Sequence, residues 1–481
     1  MDNFRETVVS GFAWEGGTRF IVQVASWVST IWVARLLVPD DYGIVAISGI
    51  FTGFGVQMAG LGLGHALVNR KMVKHTHASN IFWSGLFFST VLYGLLFLLA
   101  YPISTYFGIG ELVTVIHVAS VIVILSALGI VPRALAMRRL MFKHSAIIVM
   151  CVNGLIIVST VSLAHYGYAY WSLIYPVLLG EALTVLAFWV LLQFRPRLPK
   201  NLLSVVPYYR YGLKVAGANL INFTTSHWPT VIIGSVLGQT ATGYFQMASV
   251  LARMPMDKIG QIFSVIAFPS FSRIQADTSR TRSVFRRLHT VLYMVTLPMF
   301  LGIAVVADEL IPLLIGEKWV AIILPVQIMC VVNVFAIGSQ LMGMLADGIA
   351  KPQVNLIYHT ILFVLTPTAM LIAIPFDLNG MLAGWAAVFP LAYLVLVNRV
   401  TSLVKMTAGS LIRELLPALL SALLMVIAVM SVRALLRGFG LNSIEILAIE
   451  AMTGVAVYAA CLIKLDPVRV FDVLTMMTRP R

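Results

Sequence analysis

Residues 12–68 read FAWEGGTRFIVQVASWVSTIWVARLLVPDDYGIVAISGIFTGFGVQMAGLGLGHALV, two apolar runs (12–37 and 43–68) on either side of Val38-Pro39-Asp40-Asp41-Tyr42. Each run exceeds the roughly 20 residues that a helix needs to cross a bilayer. Proline followed by two aspartates is turn chemistry, which accounts for Asp40 and Asp41 without a metal. The stretch therefore reads as a transmembrane helical hairpin. Outward from it the pattern repeats, with further runs near 80–101, 112–132, 145–164, 169–194, 212–237, 244–269, 288–314, 319–343, 354–374, 380–398, 413–432 and 443–463. The expectation is an all-α integral membrane protein of about fourteen spans with short connections. No short apolar core with a cleavage site precedes the first span, so that span is expected to be its own targeting signal.

Composition agrees. Of 481 residues, 60% are hydrophobic and 11% charged, against about 45–50% and 25% in soluble chains. A soluble multidomain enzyme, a disordered chain, a collagen and a disulfide scaffold are all excluded. Cys151, Cys330 and Cys461 lie far apart in apolar runs and read as small packing residues. The formal charge of +14 decides orientation. With the N-terminus in the cytoplasm, 26 of the 33 Lys and Arg fall inside. Lys318, Arg433 and Arg437 fall outside, and Arg19, Arg35, Arg253 and Lys258 within spans. That bias follows the positive-inside rule with both termini cytoplasmic. The surplus charge then serves topology and anionic headgroups, and no nucleic-acid partner is implied.

A shift of 200 residues lays the first hairpin on the seventh and eighth spans. Arg35-Leu36-Leu37 and Tyr42-Gly43 fall on Ser235-Val236-Leu237 and Thr242-Gly243, and Gly60 falls on Gly260. Six spans separate the copies, an even number, so they are parallel repeats about an axis along the membrane normal. The expected division is 1–200 (spans one to six), 201–405 (seven to twelve) and 406–481 (two appended spans and a tail).

Polar residues inside the spans carry the functional signal, because charge at bilayer depth is costly and is shielded or put to use. In the first span Glu15, Arg19, Gln23, Ser26 and Thr30 share one helix face. In the eighth, Gln246, Ser249, Arg253, Asp257, Gln261 and Ser264 do so, and in the seventh Asn219, Asn222, Ser226, His227 and Thr230. Three such stripes are expected to face shared water between the lobes. Glu15/Arg19 and Arg253/Asp257 stand four apart. Each pair is either a self-neutralised staple or an acid that aims an arginine at an anionic substrate. Lys258 points off the Arg253 face. Glu181 stands alone in the sixth span; a lone buried carboxylate suits proton coupling or a neutral packing role. His65 and His227 read as packing residues or titratable groups. Gly49, Gly53, Gly60 and Gly64 share a face around Gln57 and allow close helix approach. Gly60, Gly62 and Gly64 lie inside a span without a preceding strand and are no dinucleotide loop, and no Gly-Lys-Ser/Thr phosphate loop occurs.

The segment Val33-Ala34-Arg35-Leu36-Leu37-Val38-Pro39-Asp40-Asp41-Tyr42-Gly43 resembles the first-turn signature of bacterial polysaccharide flippases. Met254-Pro255-Met256-Asp257-Lys258-Ile259-Gly260, the run Phe268–Thr278, and Ile315-Gly316-Glu317-Lys318-Trp319 leading to Pro325-Val326-Gln327 extend the resemblance. Together they are similar to the Wzx family, in its colanic-acid-exporter branch, of the multidrug/oligosaccharidyl-lipid/polysaccharide exporter superfamily. The resemblance implies two six-helix lobes, a cationic cavity and an undecaprenyl-pyrophosphate-linked oligosaccharide moved from the cytoplasmic to the periplasmic leaflet. It carries Arg19 and Arg253 over as the anion contacts and implies membrane lipids and polysaccharide polymerase or export machinery as partners.

The expected function is thus a flippase of the bacterial inner membrane, not an enzyme. The expected cavity residues are Arg19, Arg253, Lys258, Gln23, Gln57, Asn219, Asn222, His227 and Gln261, with no metal and no cofactor. Glu15, Glu181 and Asp257 are the candidates for coupling to a proton or sodium gradient. A cation antiporter of the same architecture is the first rival and would need a net acidic cavity. A glycan polymerase or ligase is the second and would need large outward loops.

Overall fold

The computed structural model describes residues 22–60, 62–69, 74–199, 205–436 and 440–467, and no strand occurs among them. A helix, α1, covers 22–36. It is followed by α2 (Pro39–Gly60), α3 (Leu63–Asn69), α4 (His75–Phe107), α5 (Leu112–Ala119), α6 (Val121–Arg138), α7 (Phe142–His165) and α8 (Trp171–Leu192). Then come α9 (Val206–Ile274), α10 (Thr278–Ile315), α11 (Ile323–Gly348), α12 (Gln353–Ile372), α13 (Asp377–Leu403), α14 (Ala408–Leu436) and α15 (Ser443–Leu465). Among the described residues eleven helices are long and apolar enough to cross a membrane, with α5 and α6 forming one span. The protein is a multi-pass membrane protein.

These eleven correspond to the second to sixth and ninth to fourteenth spans expected from the sequence. The first expected span lies partly outside the described residues. The seventh and eighth are the two arms of α9, which bends at Gly238 (φ 80°, ψ −169°). Only glycine adopts that backbone conformation readily.

Two compact units divide the chain, Met1–Gly243 and Tyr244–Arg481. The first arm of α9, assigned from the sequence to the second lobe, packs within the first unit. There Phe223 lies against Gly53 and Phe54, and Gly234 accommodates Phe107 and Ile47.

The repeat has a structural signature inside this first unit. A Cβ on Gly43 would overlap the Gln239 carbonyl oxygen, and one on Gly243 that of Pro39. The 200-residue shift turns Pro39 into Gln239 and Gly43 into Gly243, so the contact maps onto itself. Thr240 Oγ1 donates to Asp40 Oδ1 beside it. Asp41 braces the same turn, its Oδ2 accepting the Val38 N–H at 3.0 Å and its Oδ1 the Tyr170 N–H at 3.2 Å. The aspartates thus do the turn work expected of them.

Prolines inside the spans explain two long-range bonds. Proline lacks an N–H, so the carbonyl four residues earlier loses its helical partner, and another helix must satisfy it at bilayer depth. Pro132 leaves Leu128 O open, and Trp189 Nε1 of α8 donates to it at 3.0 Å. Pro298 leaves Met294 O open, and Tyr458 of α15 donates to it at 2.7 Å.

Candidate functional site

The second arm of α9 and α11 run side by side in parallel within the second unit. Ser249 Oγ meets Met329 Sδ at 3.5 Å, and Phe271 packs on Gly348 some twenty residues on. Between these contacts Pro255 interrupts the backbone hydrogen bonding of α9. Asn333, buried on α11, donates from Nδ2 to the Ala252 carbonyl in the disturbed turn at 2.8 Å. This bond holds the backbone next to Arg253.

Arg253, Asp257 and Gln261 are exposed along one face of this arm, and Lys258 is half-buried. No ion pair among the described residues involves Arg253, Asp257 or Lys258. The four-apart spacing of Arg253 and Asp257 therefore does not produce a staple. An unpaired guanidinium facing hydrocarbon would cost about 2.5–3.5 kcal/mol.

In the first unit Gln23 on α1 and Gln57 on α2 are half-buried, and Asn222 is exposed. His227 is half-buried and stacked on Phe223, with ring centroids 4.0 Å apart. Its Nδ1 donates to the Phe223 carbonyl at 2.8 Å. Glu15 and Arg19, and the side chains of His65 and Asn219, lie outside the described residues.

Glu181 is not isolated. Arg133 Nη2 of α6 donates to its Oε1 at 2.7 Å. The sequence reading placed Arg133 in a cytoplasmic loop because the apolar run ends at 132. The helix in fact continues to Arg138. Gly129, one turn earlier, leaves room for the Arg133 guanidinium. The pair is partly exposed, at 37% for Arg133 and 19% for Glu181.

A second ion network was likewise hidden by span boundaries. Arg433, expected in an outer loop, lies within α14 with its side chain 10% exposed. Its Nε donates to Glu450 Oε1 of α15 at 2.7 Å and its Nη1 to Asp308 Oδ2 of α10 at 2.8 Å. Glu309 Oε2 lies 2.7 Å from Nη2, and Nη2 also donates to the Val305 carbonyl. Near the start of the same helix, Glu414 pairs with Arg286 of α10. The two clamps are separated by nineteen residues of α14, about 28 Å of helix. This is close to the ~30 Å hydrocarbon thickness. They fix α14 against α10 at two levels along its length, with opposite polarity. Glu445 is used in the capping box that starts α15.

Residues 32–324 match the family model described as "Polysaccharide biosynthesis protein". The chain is 26% identical to the lipopolysaccharide biosynthesis protein WzxC of Escherichia coli K12, over 75% of each chain. It is also 26% identical to the succinoglycan biosynthesis transport protein ExoT of Rhizobium meliloti, over 60% of this chain and 58% of that one. Its fold is that of the lipid II flippase MurJ in an inward closed conformation. The TM-score is 0.73 at 14% identity, over 93% of this chain and 98% of that one. The family model spans well over half of the sequence, from the first helix to the start of α11, and the chain belongs to this family of polysaccharide biosynthesis proteins.

Proposed function

We propose that this protein is a flippase for undecaprenyl-pyrophosphate-linked oligosaccharide, carrying it from the cytoplasmic to the periplasmic leaflet of a bacterial inner membrane. Both termini are cytoplasmic on this reading, and the lobes 1–200 and 201–405 alternate in access. The observation that carries it is Arg253, an exposed arginine inside a span with no acidic partner among the described residues. A pyrophosphate leaving water needs charge-assisted donors, since a buried unpaired anion is prohibitively costly. Arg253, joined by Arg19, supplies them; Lys258 adds positive charge. The amides of Gln23, Gln57, Asn219, Asn222 and Gln261, with His227, bond sugar hydroxyls. The polyprenyl tail stays in lipid. Glu15, Glu181 and Asp257 are the proposed carriers of a coupling proton or sodium ion, with Arg133 the ion partner of Glu181. Polysaccharide polymerase or export machinery receives the product.

The test is Arg253→Ala in a strain that depends on this chain for surface polysaccharide. The expected result is lipid-linked glycan trapped on the cytoplasmic leaflet at normal protein level. Normal polysaccharide at that protein level would refute the reading.

A further inference from the structure

Gln340 belongs to no motif and to none of the stripes described from the sequence. It lies on α11, seven residues beyond Asn333, and is exposed in the middle of an apolar helix. Its carboxamide rests over Gly260 of α9: a Cβ on that glycine would stand 2.7 Å from Gln340 Oε1 and 3.1 Å from Nε2. The amide has no hydrogen-bond partner among the described residues. An amide turned towards lipid without a partner is costly, so its exposure marks the same wetted surface as the neighbouring Gln261 and Asp257.

We propose that Gln340 is a sugar-contacting residue of the substrate surface, its carboxamide donating to and accepting from hydroxyls of the glycan headgroup. This rests on the reading of Arg253 as the anion contact. Gly260 lies seven residues along α9 from Arg253, about 10 Å of helix axis. A group held over Gly260 therefore meets the sugars beyond the phosphates that Arg253 holds. The side chain of Gln340 can approach α9 this closely only because residue 260 has no Cβ. The glycine of the repeat is thus a seat for a side chain from the adjacent helix. Asn333 anchors the same stretch of α11 to Ala252, so both ends of the segment bearing Arg253 and Gly260 are held by one helix.

The experiment uses the full chain in lipid nanodiscs with two probes. One is undecaprenyl pyrophosphate without sugar; the other is the lipid-linked glycan extracted from the host membrane. Gln340→Ala is expected to weaken binding of the lipid-linked glycan roughly five- to tenfold, the scale of one amide hydrogen bond, and to leave undecaprenyl pyrophosphate unchanged. Gly260→Ala displaces only the flexible end of Gln340 and is expected to give the same selective loss, which covers the case of a poorly folded Gln340→Ala. Arg253→Ala is expected to weaken both probes. Unchanged glycan binding in Gln340→Ala and Gly260→Ala overturns the proposal, as does an equal loss for both probes. If Arg253→Ala weakens neither probe while Gln340→Ala acts on the glycan alone, the role of Arg253 falls and that of Gln340 stands.

Discussion

Gly43 and Gly243, related by the internal repeat, each lie against the backbone of the other copy, on Gln239 and Pro39 respectively. Neither site has room for a methyl group, and the atoms in the way are backbone carbonyls that cannot swing aside. Alanine at either position is expected to destabilise the protein by about 1–3 kcal/mol through overpacking, read as a lower melting temperature in detergent. Gly49→Ala, where a Cβ meets nothing within 4 Å, is the control and should be neutral or slightly stabilising.

Arg433 serves three carboxylates from two helices. Arg433→Ala leaves Glu450, which has no exposed surface, without its counter-charge. The expected cost is about 3–5 kcal/mol, seen as loss of monodisperse protein. Glu450→Gln, which removes one acid and keeps Asp308 and Glu309 on the arginine, should cost much less. Equal effects of the two changes would refute the account.

Tyr458 and Pro298 are coupled through the Met294 carbonyl. Tyr458→Phe is expected to cost about 1 kcal/mol. In a Pro298→Ala background residue 298 regains an N–H that takes this carbonyl, so Tyr458→Phe should then cost close to nothing. A double-mutant cycle on thermal unfolding measures the difference.

Asp277 starts α10 in the turn after α9, accepting from the Ser279 and Arg280 N–H groups at 2.9 and 3.0 Å and from the Ser279 hydroxyl. These bonds, the hydroxyl first, hold its carboxyl below the usual carboxylate range. A lowered pKa in the folded state means that the stabilisation is complete above the unfolded value. It is lost as pH falls through the folded one. Asp277→Ala should therefore lower the melting temperature at neutral pH and give a shallower acid limb. The two proteins should converge in strong acid.

Much of the architecture was legible because bilayer thickness imposes a minimum apolar length on every spanning helix, and eleven of the expected runs meet it among the described residues. The turn role of Asp40 and Asp41 was legible because it is local. Partnerships between helices were not. Arg133 and Arg433 follow the apolar runs and look like loop charges, whereas their helices continue past the point where hydropathy drops. A helical stripe shows which residues share a face, not what lies opposite. Arg253 and Asp257 have the spacing of an ion pair and do not form one. Gln340 is a single polar residue in an apolar run, and its significance comes only from the glycine beside it.

The Arg433 network also bears on biogenesis. On the proposed orientation this arginine must leave the cytoplasm during insertion. Asp308, one of its counter-charges, lies 125 residues earlier, and Glu450 only 17 residues later. A nascent chain that has released α14 but not α15 already holds Asp308 and Glu309 for the guanidinium and lacks only the Glu450 acceptor for its Nε. The final helix therefore closes the network last, bringing the carboxylate that seals the guanidinium in the packed interior.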